Sequence, residues 1–168
     1  MAMTTVAIVP AAGRGERLGP GLPKALRTVG GAPLLVHAVR ALARSRAVSL
    51  VVVAAPPDID GSGVEQVRAL LTGHHSGAEL MVVAGGASRR ESVRLALEVL
   101  APEVEVVLVH DAARPLTPVE LIDAVAAAVH GGADAVVPGL PVADTVKRVE
   151  PGEAVSYTHL TLPTTPYV

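Results

Sequence analysis

Strand-like apolar runs alternate with helix-like stretches along most of the chain, and few architectures accept that order. Residues 5–10 form a β-branched apolar run that reads as a buried strand. After a long loop, Leu35, Ala38, Val39 and Leu42 fall at helical spacing within residues 33–44. Residues 49–54 predict a second strand, stopped by Pro56 and Pro57. Val64, Val67, Leu70 and Leu71 share one face of a helix over 63–71. Residues 79–84 predict a third strand, ended by Gly85 and Gly86.

Ser88, Arg89, Arg90 and Glu91 then read as a capping box, with Ser88 accepting from the Glu91 amide and Glu91 reaching back. The helix runs to Leu100 with Val93, Ala96, Leu97 and Leu100 inward. A fourth strand is predicted over 105–110. Thr117 to Glu120 repeats a helix start, with Pro118 at the first helical position. That helix ends near Gly131 and Gly132. Residues 133–138 predict a fifth strand and 145–149 a sixth. Strands this continuously apolar are covered on both faces, so the expected fold is α/β, Rossmann-like, with a mainly parallel sheet. Ligands of such sheets bind beyond the carboxyl ends of the strands. Three motifs lie there: the loop after Val9, residues 85–92, and His110 with Asp111.

Composition narrows the function classes. The 168 residues are 50% hydrophobic, enough for one domain with a real core. A net charge of −2 gives no basic surplus for a nucleic-acid backbone. There is no cysteine, hence no disulfide framework and no thiolate site. No apolar run approaches the ~18 residues that span a bilayer, and the N-terminus lacks a basic signal-peptide region. A soluble cytoplasmic protein without a membrane partner is expected.

The loop after the first strand carries Gly13, Gly15 and Gly19 with Arg14, Arg17 and Lys24. It is not a Walker A loop, because no Gly-Lys pair exists. It is not a dinucleotide fingerprint either: the third glycine comes one residue late, and the second strand ends in Ala54, Ala55 and Pro56 rather than an acid. Glycines still let backbone amides approach phosphate oxygens, and three cations add charge. The alternative is a flexible surface loop with solvated charges.

The longer strings are more specific. PAAGRGERLG with PKAL resembles the signature of sugar-phosphate nucleotidyltransferases. GGASRRESV (85–93), VHDAARP (109–115) and PVADTVKR (141–148) narrow the resemblance to the 2-C-methyl-D-erythritol 4-phosphate cytidylyltransferase family, over residues 5 to about 150. The resemblance implies a nucleotidyltransferase fold and transfer of CMP from CTP to the polyol phosphate, with release of pyrophosphate. It implies a divalent cation, Mg2+ or another, and a homodimer. A cytidylyltransferase for another polyol phosphate, such as ribitol 5-phosphate, and a non-catalytic nucleotide-binding module are the competing readings.

By the same resemblance, Arg17 and Lys24 are the catalytic cations. Arg14 is weighted lower, as a solvated charge. Pro10, Ala11, Ala12 and Gly13 would lie against the nucleotide, and Gly85, Gly86 and Ser92 would read the base. Asp111 would hold the metal and lie near the substrate; taken alone, a carboxylate there could equally be a cap. Arg114 either pairs with Asp111 or approaches the substrate. Thr145 and Lys147 match a substrate-proximal segment, with a plain surface charge as the alternative for Lys147. Arg89 and Arg90 are solvated, or one lies near the triphosphate. His110 is read as structural. His37, His74, His75 and His130 show no metal-ligand spacing, and the His74–His75 pair reads as solvated loop.

The end of the chain is written differently. Both tyrosines, Tyr157 and Tyr167, and four threonines crowd into it, and the chain has no Phe or Trp. Residues 155–168 resemble a translated sequencing adapter, which would confine the nucleotidyltransferase domain to 1–154. The family pattern continues past Arg148 into a dimer arm, a second metal aspartate and further basic residues. The expectation is a chain that binds Mg-CTP weakly and turns over poorly.

Overall fold

A computed structural model of the chain describes residues 4–12, 22–56, 62–74 and 77–141. The chain divides into two units between Val137 and Pro138. All regular elements among the described residues lie in the first. In the second, residues 138–141 are described; they are exposed and carry no regular structure.

The first unit is built on a parallel sheet, as the alternation requires. Its strands are β1 (Thr4–Pro10), β4 (Val48–Ala55), β5 (Glu79–Ala84) and β6 (Val104–Val109), in the order β5-β4-β1-β6. Every pairing in this sheet is parallel. The chain moves outward from β1 through β4 to β5, then returns to the other side of β1 at β6. A small antiparallel pair, β2 (Thr28–Val29) and β3 (Ala32–Pro33), precedes the first helix. The helices are α1 (Leu34–Arg44), α2 (Ser62–Leu71), α3 (Arg89–Glu98) and α4 (Val119–His130). No helix among the described residues is long and apolar enough to cross a membrane.

Side chains alternate across β1 with the period of a strand. Ala7 and Val9 join Leu35, Val39 and Leu42 of α1, Val67 and Leu71 of α2 and Ile122 of α4. Val6 and Ile8 point the other way, to Val52 and to Ala96 of α3. Helices thus cover both faces. β1 and β4 are buried through their centres, whereas β5 and β6 keep exposed residues such as Glu79, Met81, Glu105 and Val109.

Several expectations need correction. Residues 133–138 form no strand, and Val137 is 82% exposed. An apolar run becomes a strand only where a neighbour completes its hydrogen-bond ladder, and no described segment pairs with it. The sixth predicted strand lies outside the described residues. Leu97 is exposed: α3 ends at Glu98 and not at Leu100, and its inward face is set by Ser92, Val93 and Ala96, with Leu100 packing on the core beyond the helix end. Pro118 is the cap of α4, one place before the expected position, and Thr117 donates to the Arg114 carbonyl instead of capping. His74 is exposed but held, with Arg40 hydrogen-bonded to its carbonyl and to Nδ1.

One buried polar contact ties the ends of the unit together. The hydroxyl of Thr5, fully buried in β1, lies 2.9 Å from Nε2 of His130 at the end of α4. Thr5→Val keeps the shape and removes the partner. It is expected to lower stability by about 0.5–1.5 kcal/mol, read as a shift of the urea midpoint at constant slope.

Candidate functional site

Because the four strands run parallel, their carboxyl ends share one edge of the sheet, and the loops leaving them are laced together by backbone bonds. The Ala11 amide donates to Ala54 O (2.9 Å), the Gly85 amide to Ala55 O (2.8 Å) and the His110 amide to Ile8 O (2.9 Å). Each loop is pinned to the end of the neighbouring strand as it turns away.

Gly85 is where two of these loops touch. A Cβ there would stand 2.4 Å from Ala55 O, 3.1 Å from the Ala12 Cβ and 3.1 Å from Ser92 Oγ. Only a residue without a side chain fits, and Ala12, Gly85 and Ser92 are packed together as the sequence motifs suggest. Ala11 is buried, and Pro10 and Ala12 are half-buried.

The turn from β5 to α3 is held from inside. Ser88 caps α3, accepting from the Glu91 amide at 3.1 Å. Glu91 reaches back one residue further than a standard capping box, to the Ala87 amide (2.9 Å). Ser92 is fully buried; its hydroxyl accepts from the Gly86 amide (3.0 Å) and donates to Ser88 O (2.9 Å). This hydroxyl is committed to the backbone of the glycine turn and fixes its shape. A Cβ on Gly86 would overlap the Glu91 side chain, so the second glycine is required too.

Asp111 follows β6 with its side chain 40% exposed. Arg89 donates to Oδ1 from both Nη2 (2.7 Å) and Nε (3.2 Å). Nε of Arg114 lies 3.6 Å from Oδ2. The Arg89 hydrogen bonds hold the Asp111 carboxyl below the usual carboxylate range, against the partial burial that would raise it. The Arg114 contact realises one of its two expected roles. The bond across 22 residues from Arg89 was not legible in the sequence, which reads Arg89 as solvated or near the triphosphate and not as a partner of Asp111. His110 is half-buried, with Nε2 3.2 Å from Arg114 O; burial lowers its pKa, and that contact opposes the shift.

Lys24 opens a 3-10 turn, Lys24–Leu26, and is exposed. Ala25 and Leu26 of that turn pack on the core beside α1. Gly13, Arg17, Thr145 and Lys147 lie outside the described residues, as do Arg14, His75 and residues 155–168. No cluster of three or more His, Asp or Glu side chains suited to a metal occurs among the described residues.

The parallel sheet, with a glycine turn and Asp111 at its carboxyl edge, has the nucleotidyltransferase fold of the solved structures it resembles. A structure of 4-diphosphocytidyl-2C-methyl-D-erythritol synthase from Anaerococcus prevotii shares it, with a TM-score of 0.73 over 94% of this chain and 63% of that one, at 24% identity. The model of the family described as 2-C-methyl-D-erythritol 4-phosphate cytidylyltransferase (IspD) matches residues 5–160, and the chain belongs to that family. A protein of that name from Streptomyces coelicolor is 61% identical over 152 residues, covering 89% of this chain and 55% of the relative. A structure of the Thermus thermophilus protein of that name is 32% identical, with a TM-score of 0.58 over 89% of this chain and 60% of that one. The chain spans about half the length of the curated relatives it matches.

Proposed function

We propose that the chain carries the nucleotide half of a site that transfers CMP from CTP to 2-C-methyl-D-erythritol 4-phosphate and releases pyrophosphate, a step towards isoprenoid precursors. The observation that carries this reading is the contact of Ala12, Gly85 and Ser92 at the carboxyl edge of a parallel sheet. In the reaction an oxygen of the acceptor phosphate forms a bond to the α-phosphorus. The bond from that phosphorus to the bridging oxygen breaks, and its electron pair leaves with pyrophosphate. Two anions meet, so positioning and positive charge supply most of the catalysis.

In this reading Pro10, Ala11, Ala12 and Gly13 lie against the nucleotide. Gly85 and Gly86 offer carbonyl groups to the pyrimidine edge, their amides being held by Ala55 O and Ser92 Oγ, and Ser92 holds that turn in shape. Arg17 and Lys24 supply charge to the developing pyrophosphate. A guanidinium spans two oxygens and an ammonium acts as a point charge. By the family resemblance, Arg114, Thr145 and Lys147 would serve the acceptor phosphate.

A divalent cation, Mg2+ by preference, fits this donor set. Asp111 offers an ionised hard-oxygen donor that solvent reaches, and among the described residues Oδ2 has only the longer Arg114 contact. Mg2+ characteristically binds through one or two carboxylates together with substrate phosphates and water, so a single aspartate suffices. The cation would neutralise triphosphate charge. The homodimer belongs to this reading through the family resemblance alone, and the cytoplasmic location through the composition argument alone.

Titration calorimetry of CTP, UTP and ATP into the chain with Mg2+ present tests the nucleotide half. CTP is expected to bind at least about tenfold tighter than either competitor, the discrimination one set of base contacts supplies. Equal affinities, or no binding of CTP, would overturn the reading.

A further inference from the structure

We propose that Arg89 is a positioning residue that latches Asp111 until a triphosphate arrives. The guanidinium then passes to phosphate oxygens and leaves the carboxylate to a divalent cation. The proposal rests on the nucleotide reading above for its second half only.

Both ends of the latch are rooted rigidly. Arg89 is the first residue of α3, directly after the Ser88 cap, and that cap is closed by bonds to the Glu91 and Ala87 amides. Asp111 follows His110, whose amide is pinned to Ile8 O, and the Asp111 carbonyl accepts from the Arg114 amide. The backbone therefore fixes where each side chain starts, and only the two ends need exchange partners. The bond spans the glycine turn after β5 and the end of β6, two strands that flank the β4–β1 pair from opposite sides.

The bond is built to be exchanged. Arg89 is 60% and Asp111 40% exposed, so water reaches both groups. Ion pairs this exposed are worth little net, and breaking one is easily offset by a better partner. A triphosphate is such a partner for a guanidinium, through paired bonds to its oxygens.

Charge makes the exchange ordered. Arg89 and Arg114 set two positive charges against the one negative charge of Asp111, so the trio carries a net single positive charge. A bare divalent cation approaching Asp111 is repelled by both guanidiniums. The same trio attracts a polyphosphate, which then supplies the negative charge and the oxygen ligands a divalent cation needs. Nucleotide and cation should therefore bind with positive cooperativity, each raising the affinity of the other by the same factor.

The test uses Mn2+ as the probe, followed by its electron paramagnetic resonance signal, on the wild-type chain and on Arg89→Met, Arg89→Lys and Asp111→Asn. Arg89 is exposed, so Arg89→Met should keep the wild-type thermal midpoint. Without nucleotide, Arg89→Met is expected to bind Mn2+ about tenfold more tightly than wild type, the order set by removing one nearby cation in a water-like medium. Arg89→Lys should stay near wild type, and Asp111→Asn should lose the Mn2+ site. With CTP added, Arg89→Met should show a cooperativity factor at least several-fold smaller than wild type. Mn2+ affinity that is equal in wild type and Arg89→Met, or lower in Arg89→Met, overturns the latch. The Mn2+ arm needs no nucleotide, so failure of CTP to bind would overturn the nucleotide reading while this arm still decides the latch.

Discussion

Gly85→Ala is expected to lower stability by about 1–3 kcal/mol and to weaken CTP binding at least about tenfold. The cause is steric, with no contribution from a left-handed backbone. The added Cβ would stand 2.4 Å from Ala55 O, an atom at the end of a central strand. That oxygen accepts the Gly85 amide itself at 2.8 Å, so the methyl group pushes against the acceptor of its own residue. Relief requires the turn after β5 to lift away from β4. Lifting it strains the bond from the Gly86 amide to Ser92 Oγ and separates Gly85 from Ala12. The damage falls on the loop that the proposed base contacts come from. Gly139→Ala is the control: among the described residues nothing stands within 4 Å of where its Cβ would lie, and it should stay within about 0.5 kcal/mol of wild type. Urea midpoints and CTP calorimetry read both effects. A Gly85→Ala chain with the wild-type midpoint would show that the turn has room the geometry denies it.

The sheet was legible because its signals are local. The run 49–54 falls in β4, whose carboxyl half from Val51 on is buried, and the third strand falls at Glu79–Ala84 as expected. Ser88 was legible as a cap because a hydroxyl three residues before a glutamate can satisfy the first amides of a helix, although the same spacing at Thr117 and Glu120 does not cap α4. What depended on a neighbour was not legible. Residues 133–138 have strand composition but lack a described strand to pair with. Leu97 fits a helical repeat, yet the sheet selects the face centred on Ser92 and Ala96. The candidate site divides in the same way. The motifs named Ala12, Gly85, Ser92 and Asp111, and all four stand at loops leaving the same edge of the sheet. That Arg89 would take Asp111, and that Ser92 would turn its hydroxyl towards the turn's own backbone, depends on distances no spacing rule encodes.

The Ser92 hydroxyl provides the second large effect. Ser92→Ala is expected to cost about 1–3 kcal/mol, because it leaves one buried donor without an acceptor. The contacts of this hydroxyl, with the Gly86 amide, Ser88 O and, at 3.5 Å, Gly86 O, are not equivalent on removal. Ser88 O also accepts from the Ser92 amide at 2.9 Å, so it keeps a partner when the side chain goes. The Gly86 amide is buried, and its bond to Ser92 Oγ at 3.0 Å is the one lost. The cost should therefore concentrate at Gly86, and amide hydrogen exchange reads it there. Protection of Gly86 is expected to fall by about ten- to a hundredfold, the equivalent of that energy, while amides in the centre of β4 fall only with global stability. Ser92→Val should be worse than Ser92→Ala, because it adds bulk beside Gly85 without restoring an acceptor. A Ser92→Ala chain that keeps Gly86 protection at the wild-type level would mean the amide has another acceptor. The turn would then be held by Glu91 and the Ser88 cap alone.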